Sequence, residues 1–158
     1  MKKSIINFFS LLIGVAAGIF GTRKMMEEKV DQSQKISDKY LSLFLMMNQW
    51  VKVKQEGKHL ASYFERNGYR KIAIYGMSYV GKTLANELAG SAVEIGYGID
   101  QNVDISDQGF EVVPPGNILE PVDVIVVTPI TFFEEIAECL GKESVCPIVS
   151  LEDILYEI

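Results

Sequence analysis

The chain has 158 residues, 48% of them hydrophobic and 10% aromatic, enough for one packed domain with appendages. Its charge is uneven: residues 1–30 and 31–70 each carry a net +3, whereas residues 71–158 carry three Lys/Arg against fifteen Asp/Glu, a net −12. So acidic a C-terminal half repels phosphate backbones, which argues against nucleic acid as a partner.

From Ser4 to Thr22 the chain holds 19 residues without a charge, flanked by Lys2-Lys3 and Arg23-Lys24. As a helix this run is roughly 28 Å long, just the thickness of a hydrocarbon core. Gly14, Gly18 and Gly21 with Ala17 form a small-residue face that lets two such helices approach closely. A membrane anchor over residues 1–24 is the expectation. A cleaved signal peptide and a helix buried in protein or lying at an interface are the alternatives. The basic flanks on both sides leave the orientation open. A cytoplasmic domain is favoured by two cysteines, Cys139 and Cys146, that read as free thiols in a reducing compartment. A soluble cytoplasmic protein or an exported one are the other placements.

Residues 25–67 read as helix, a break near Gly57, and helix again to Asn67-Gly68, a left-handed stop. Ile36, Tyr40, Leu43, Phe44, Met47, Trp50 and Val51 recur at steps of three and four and predict one broad apolar stripe. It either packs on the following domain or forms a helix–helix dimer seam. His59, the only histidine, lies on a polar stretch and reads as solvated.

The segment from Lys71 to Thr83 carries the strongest functional signal. Strand-forming residues 71–75 run into a turn bounded by Gly76 and Gly81, and a helix predicted over 82–89 follows. Strand, glycine-bearing turn and helix N-terminus together make a phosphate cradle. Gly76, Met77, Ser78, Tyr79, Val80 and Gly81 are therefore candidate ligand-binding residues. They satisfy two patterns: Gly76-x-x-x-x-Gly81-Lys82-Thr83 fits a P-loop, and Gly76-x-Ser78-x-x-Gly81 is a dinucleotide fingerprint with its middle glycine replaced. A P-loop enzyme needs a carboxylate at the end of a later buried strand to hold Mg²⁺. Here the most apolar later strand, Val122–Thr128, has its Asp at the start, and Lys82 is the only cation near the turn. The dinucleotide pattern asks for an acid about 20 residues on, to grip a ribose. Asp100, 19 residues past Gly81, supplies it. The bland reading is that both glycines only permit a tight turn and close helix–sheet packing.

Strands are predicted near 71–75, 93–99, 110–113, 122–128 and 147–149. A capped helix is expected from Thr131 through Leu140 and another from Ser150 to Ile158. Alternating strand and helix imply a parallel sheet. The expected fold over residues 68–158 is thus α/β, a trimmed doubly wound five-stranded parallel Rossmann-like sheet, preceded by long N-terminal helices. Ligands of such sheets bind beyond the carboxyl ends of the strands at the switch point. That gathers residues 76–81, Asp100-Gln101-Asn102 and Thr128-Pro129-Ile130-Thr131 around one crevice.

Lys71-Ile-Ala-Ile-Tyr-Gly-Met-Ser78, Tyr97-Gly-Ile-Asp100, Asp123-Val-Ile-Val-Val-Thr-Pro129 and Pro147-Ile-Val-Ser-Leu-Glu-Asp-Ile154 resemble a small bacterial Rossmann domain related to CoA-binding-like folds. They are also similar to the nucleotide-binding part of nucleotide-sugar epimerases and dehydratases. The resemblance covers about residues 58–158. It implies a nucleotide-type ligand such as NAD(H), CoA or a nucleotide-sugar, and a partner enzyme of surface-glycan synthesis. Ser78 departs from the family's glycine.

The base pair that such epimerases use, Tyr-x-x-x-Lys, does not occur: Tyr79 and Lys82 are three apart, and Tyr63 and Tyr75 have no Lys four residues on. The reading that follows is a non-catalytic, membrane-tethered nucleotide-binding or scaffolding module, with a homodimer through the N-terminal helices as a candidate assembly. The alternatives are an NAD-dependent nucleotide-sugar epimerase or oxidoreductase, a P-loop NTPase using Lys82 and Thr83, and a structural adaptor with an empty crevice.

Overall fold

The computed structural model describes residues 2–103, 109–117, 121–142 and 144–158, with side chains from residue 26 onward except 27 and 28. The elements are α1 (Lys2–Gln55), α2 (Ala61–Arg66), β1 (Lys71–Tyr75), α3 (Tyr79–Leu88), β2 (Glu94–Ile99), β3 (Glu111–Val113), β4 (Val124–Val127), α4 (Phe133–Leu140), β5 (Ile148–Ser150) and α5 (Leu151–Glu157). Contacts gather them into two units, Met1–Leu41 and Ser42–Ile158. The first is wholly helical, and the second holds the sheet and the end of α1.

All five strands are parallel, in the order β3-β2-β1-β4-β5. The order runs outward in both directions from β1 and β4, so the expected Rossmann-like sheet is present. Side chains alternate between the faces of each strand, and both faces are covered. On one face Ile72, Ile74, Val124 and Val126 pack with Trp50 of α1, Phe64 of α2, Leu84 of α3 and Ile154 of α5. On the other, Ala73, Tyr97, Ile99, Val113, Ile125 and Val127 pack with Leu140 of α4. Double coverage explains why β4 is apolar at four successive residues, each of them buried. Burying one such side chain contributes about 1.5–3 kcal/mol, so β1 and β4 hold the domain together.

Two polar ties fasten the end of α1 to its neighbours. Lys54 Nζ lies 2.7 Å from Glu87 of α3, and Gln49 Nε2 donates to the Leu155 carbonyl at 3.1 Å. His59, exposed as expected, stands beside the first of these, with Nδ1 3.1 Å from Lys54 Nζ. Gly57 and Gly68 take positive φ at the helix breaks where the sequence placed them.

Three local expectations change. α3 begins at Tyr79 rather than at 82, because the chain turns within Gly76–Ser78. The capping box at Thr131–Glu134 does not form. A 3-10 turn over Ile130–Phe132 follows Pro129 and puts Phe132 at the helix start, with no side-chain cap. The apolar stripe of α1 divides in two: Leu43 and Trp50 turn inward with Met46 and Val53, whereas Tyr40, Phe44, Met47 and Val51 are exposed.

The anchor expectation for residues 4–22 rests on side chains outside the described ones. Among the described residues, no helix is long and apolar enough to cross a membrane.

Candidate functional site: the crevice at the carboxyl ends of β1, β2 and β4

Beyond the ends of these strands lies a crevice of about 360 Å³, lined by Tyr75, Gly76, Ile99, Asp100, Gln101, Pro129, Phe132, Glu135 and Ile136. Its volume falls within the range of small-molecule sites. β1 and β4 are the strands from which the sheet order diverges, so Gly76 on one side and Pro129 on the other place the crevice at the switch point. Three of the candidate binding residues, Gly76, Asp100 and Pro129, meet there, with Gln101 beside them.

The remaining candidates build the walls behind it. Gly76 has φ +90°, and a Cβ there would lie 2.7 Å from both the Pro129 ring and Thr128 Oγ1. Thr128 is buried, and its hydroxyl donates to the Gly76 carbonyl at 2.6 Å, while its N–H donates to the Tyr75 carbonyl. Thr128 therefore binds the β1 turn to β4. At Gly81 a side chain would collide with the Gly76 carbonyl oxygen, so both glycines are required by packing. Met77 is fully buried, its side chain lying over Gly98 of β2, where a Cβ would stand 2.8 Å from the Met77 Cγ. Val80 is half-buried and packs against the core.

Ser78 and Tyr79 are exposed at the start of α3, and the Ser78 side chain makes no capping hydrogen bond. This leaves the helix's positive end without its usual side-chain acceptor. Lys82 and Thr83 lie inside α3, and the Thr83 hydroxyl donates to the Tyr79 carbonyl at 2.8 Å. With only Gly76–Ser78 between strand and helix, the chain forms a tight βα turn, not the open loop with which a P-loop wraps phosphate.

Asp100 stands at the tip of β2 as predicted, and its carboxylate is engaged. One oxygen accepts the Met77 N–H at 2.7 Å and the other accepts the Asn102 N–H at 2.9 Å. The Gly76 N–H donates to the Ile99 carbonyl at 2.8 Å. The first two amides of the turn that the cradle reading offered to a ligand are therefore taken, the second by the acid, which still lines the crevice. Tyr75 borders the crevice too; burial, then the neighbouring Cys139 and Asp100, push its hydroxyl above the ordinary tyrosine range. Among the described residues, the lining carries two carboxylates, Asp100 and Glu135, and no basic side chain. An adjoining crevice of about 320 Å³ shares Phe132 and Glu135 and is lined by four carboxylates, which makes it poorer still for an anion.

Sequence reasoning missed Tyr75, Ile99, Phe132, Glu135 and Ile136, whereas Gln101 lines the crevice where the sequence placed it. Phe132, Glu135 and Ile136 stand at the i, i+3, i+4 spacing of one helical face, a signal that marks a face without saying what it meets.

The strand order and this crevice define a Rossmann-like domain. No protein-family model matches the chain, and no curated protein does. A solved structure that does match is a myo-inositol 2-dehydrogenase from Lactobacillus plantarum, 17% identical over 56% of this chain and 32% of that one, with a TM-score of 0.42. The chain thus spans about a third of that protein's length, and the assignment of the fold rests on the sheet itself.

Proposed function

We propose that the protein is a non-catalytic module that binds a nucleotide or nucleotide-sugar in the crevice at the carboxyl ends of β1, β2 and β4. The observation that carries this reading is an open volume of about 360 Å³ at the divergence of the strand order, with Asp100 on its rim. The carboxylates of Asp100 and Glu135 suit hydroxyl donors, so a ribose or sugar ring is the part of the ligand that enters. Tyr75, Phe132 and Ile136 supply apolar surface around it. The phosphates then lie outside, toward the uncapped start of α3.

A binding role is favoured over catalysis by the chemistry of the lining. Tyr75 is the only phenol among the described lining residues, and burial raises the pKa of that group, the opposite of what a tyrosine base needs. Membrane tethering through residues 4–22 rests on the uncharged run in the sequence. Partnership with surface-glycan enzymes rests on the sequence resemblance. Both belong to the proposal.

Thermal shift of the full chain in mild detergent, with adenosine, NAD(H), CoA and UDP-glucose as probes, tests the ligand reading. At least one probe should raise Tm. The effect should weaken about tenfold in apparent affinity, ~1.4 kcal/mol, in Asp100→Asn, which keeps a carbonyl acceptor for the Met77 N–H. Phe132→Ala, on the exposed rim, should weaken it without disturbing the turn. No response to any of the four probes would leave the structural-adaptor reading in its place.

A further inference from the structure

We propose that α1 pairs in parallel with α1 of a second copy of this chain, through an apolar seam distinct from the one that packs on the sheet domain. Along α1 the residues Met26, Val30, Ser33, Ser37, Tyr40, Phe44, Met47 and Val51 follow one another at alternating steps of four and three. This is the 3.5-residue repeat of a two-stranded coiled coil. In the first unit Met26, Val30 and Tyr40 of this series are 67%, 64% and 66% exposed. In the second, Phe44 is 66% and Val51 51% exposed, with Met47 beside them.

The second unit also shows that this stripe is not needed to cover the sheet. Leu43, Met46, Trp50 and Val53 form their own series at steps of three, four and three, and these four pack into the core. A helix that only capped the domain would need one apolar series. This one carries a second, which covering the sheet does not explain and which calls for a partner.

The pattern of charge selects a second copy as that partner. Between Val30 and Val51 every charged residue, Asp31, Lys35, Asp38, Lys39, falls outside the seam and its flanking positions. The signs are mixed, as on the solvent face of a coiled coil; a helix lying on an anionic membrane would carry mostly Lys and Arg there. The flanking positions include Ile36 and Leu41, both exposed and apolar. In a parallel pair these two meet across the seam. Parallel alignment also stacks Phe44, Met47 and Val51 on their own counterparts, and Ser33 and Ser37 on theirs. An antiparallel pair would set Phe44 against Ser33. A two-fold, self-complementary interface of this kind closes on itself as a dimer.

This inference stands apart from the ligand reading, since none of the seam residues lines the crevice. Sedimentation velocity of the full chain in mild detergent should give twice the mass of one chain. Phe44→Glu combined with Met47→Glu should halve that mass. The cooperative unfolding of the sheet domain should be unchanged, because both side chains are exposed. In a chain carrying Cys139→Ser and Cys146→Ser, Tyr40→Cys should cross-link to itself under mild oxidation. A monomeric wild type, a double variant that remains dimeric through residues 4–22 or another face, or a Tyr40→Cys chain that fails to cross-link would each overturn the parallel seam.

Discussion

Asp100 and Asp123 sit at opposite ends of the sheet, and each carboxylate is held by two backbone N–H groups. Asp123, exposed ahead of β4, accepts from Arg70 and Lys71 through one oxygen at 2.7 and 2.8 Å, fastening the start of β1. Asp100, half-buried after β2, accepts from Met77 and Asn102. By hydrogen bonding alone the two are alike, and both read as clamps. What separates them is the space alongside: Asp100 borders an open crevice at the point where the strand order diverges. An acid at a strand tip becomes a candidate ligand group through the empty volume beside it, not through its own bonds.

The comparison breaks most forcefully at the glycine turn. Gly81→Ala drives a methyl into the Gly76 carbonyl, and urea unfolding should show a loss of about 3 kcal/mol, the upper end of overpacking costs. A loss under about 1 kcal/mol would mean that helix and turn separate easily and that the cradle can open. Next in size is Asp100→Ala, which strips the acceptor from the Met77 N–H. It should cost about 1–2 kcal/mol, and Asp100→Asn less. Equal losses in the two variants would show that the Met77 bond is not what Asp100 contributes.

The smallest effect is at Asp123, and it appears in the pH dependence. The Lys71 and Arg70 N–H groups hold its carboxyl below the ordinary carboxylate range. A depressed folded-state pKa gives stability that is present above the unfolded value, near 4, and lost as pH falls through the folded one. Urea midpoints of wild type and Asp123→Asn should therefore differ at pH 7 and converge as pH falls through the folded-state pKa. A gap that persists in acid would assign it to something other than the charge.

Much of the sheet was legible in the sequence, because strands buried on both faces are apolar without interruption, as Ile72–Ile74 and Val124–Val127 are. Gly57, Gly68 and Ser150 marked their breaks and cap correctly; the Ser150 hydroxyl accepts the Glu152 N–H at 3.2 Å. The start of α3 was not legible, since Ser78-Tyr79-Val80 is locally compatible with turn or helix and packing of Gly81 decides. Nor was the engagement of Asp100. Spacing puts an acid at the β2 tip, but which amide it meets depends on Met77 lying over Gly98. The two stripes of α1 merged into one in the sequence because they are about a third of a turn apart. Only the presence of the sheet against Met46, Trp50 and Val53 divides them.

The outermost strands β3 and β5 are three residues long each. Strands so brief offer an incoming chain few unpaired amides and carbonyls to template on, which protects a parallel sheet from lateral aggregation. Growth by strand addition is thereby discouraged at both margins, and any ordered assembly of this molecule is channelled toward its helices.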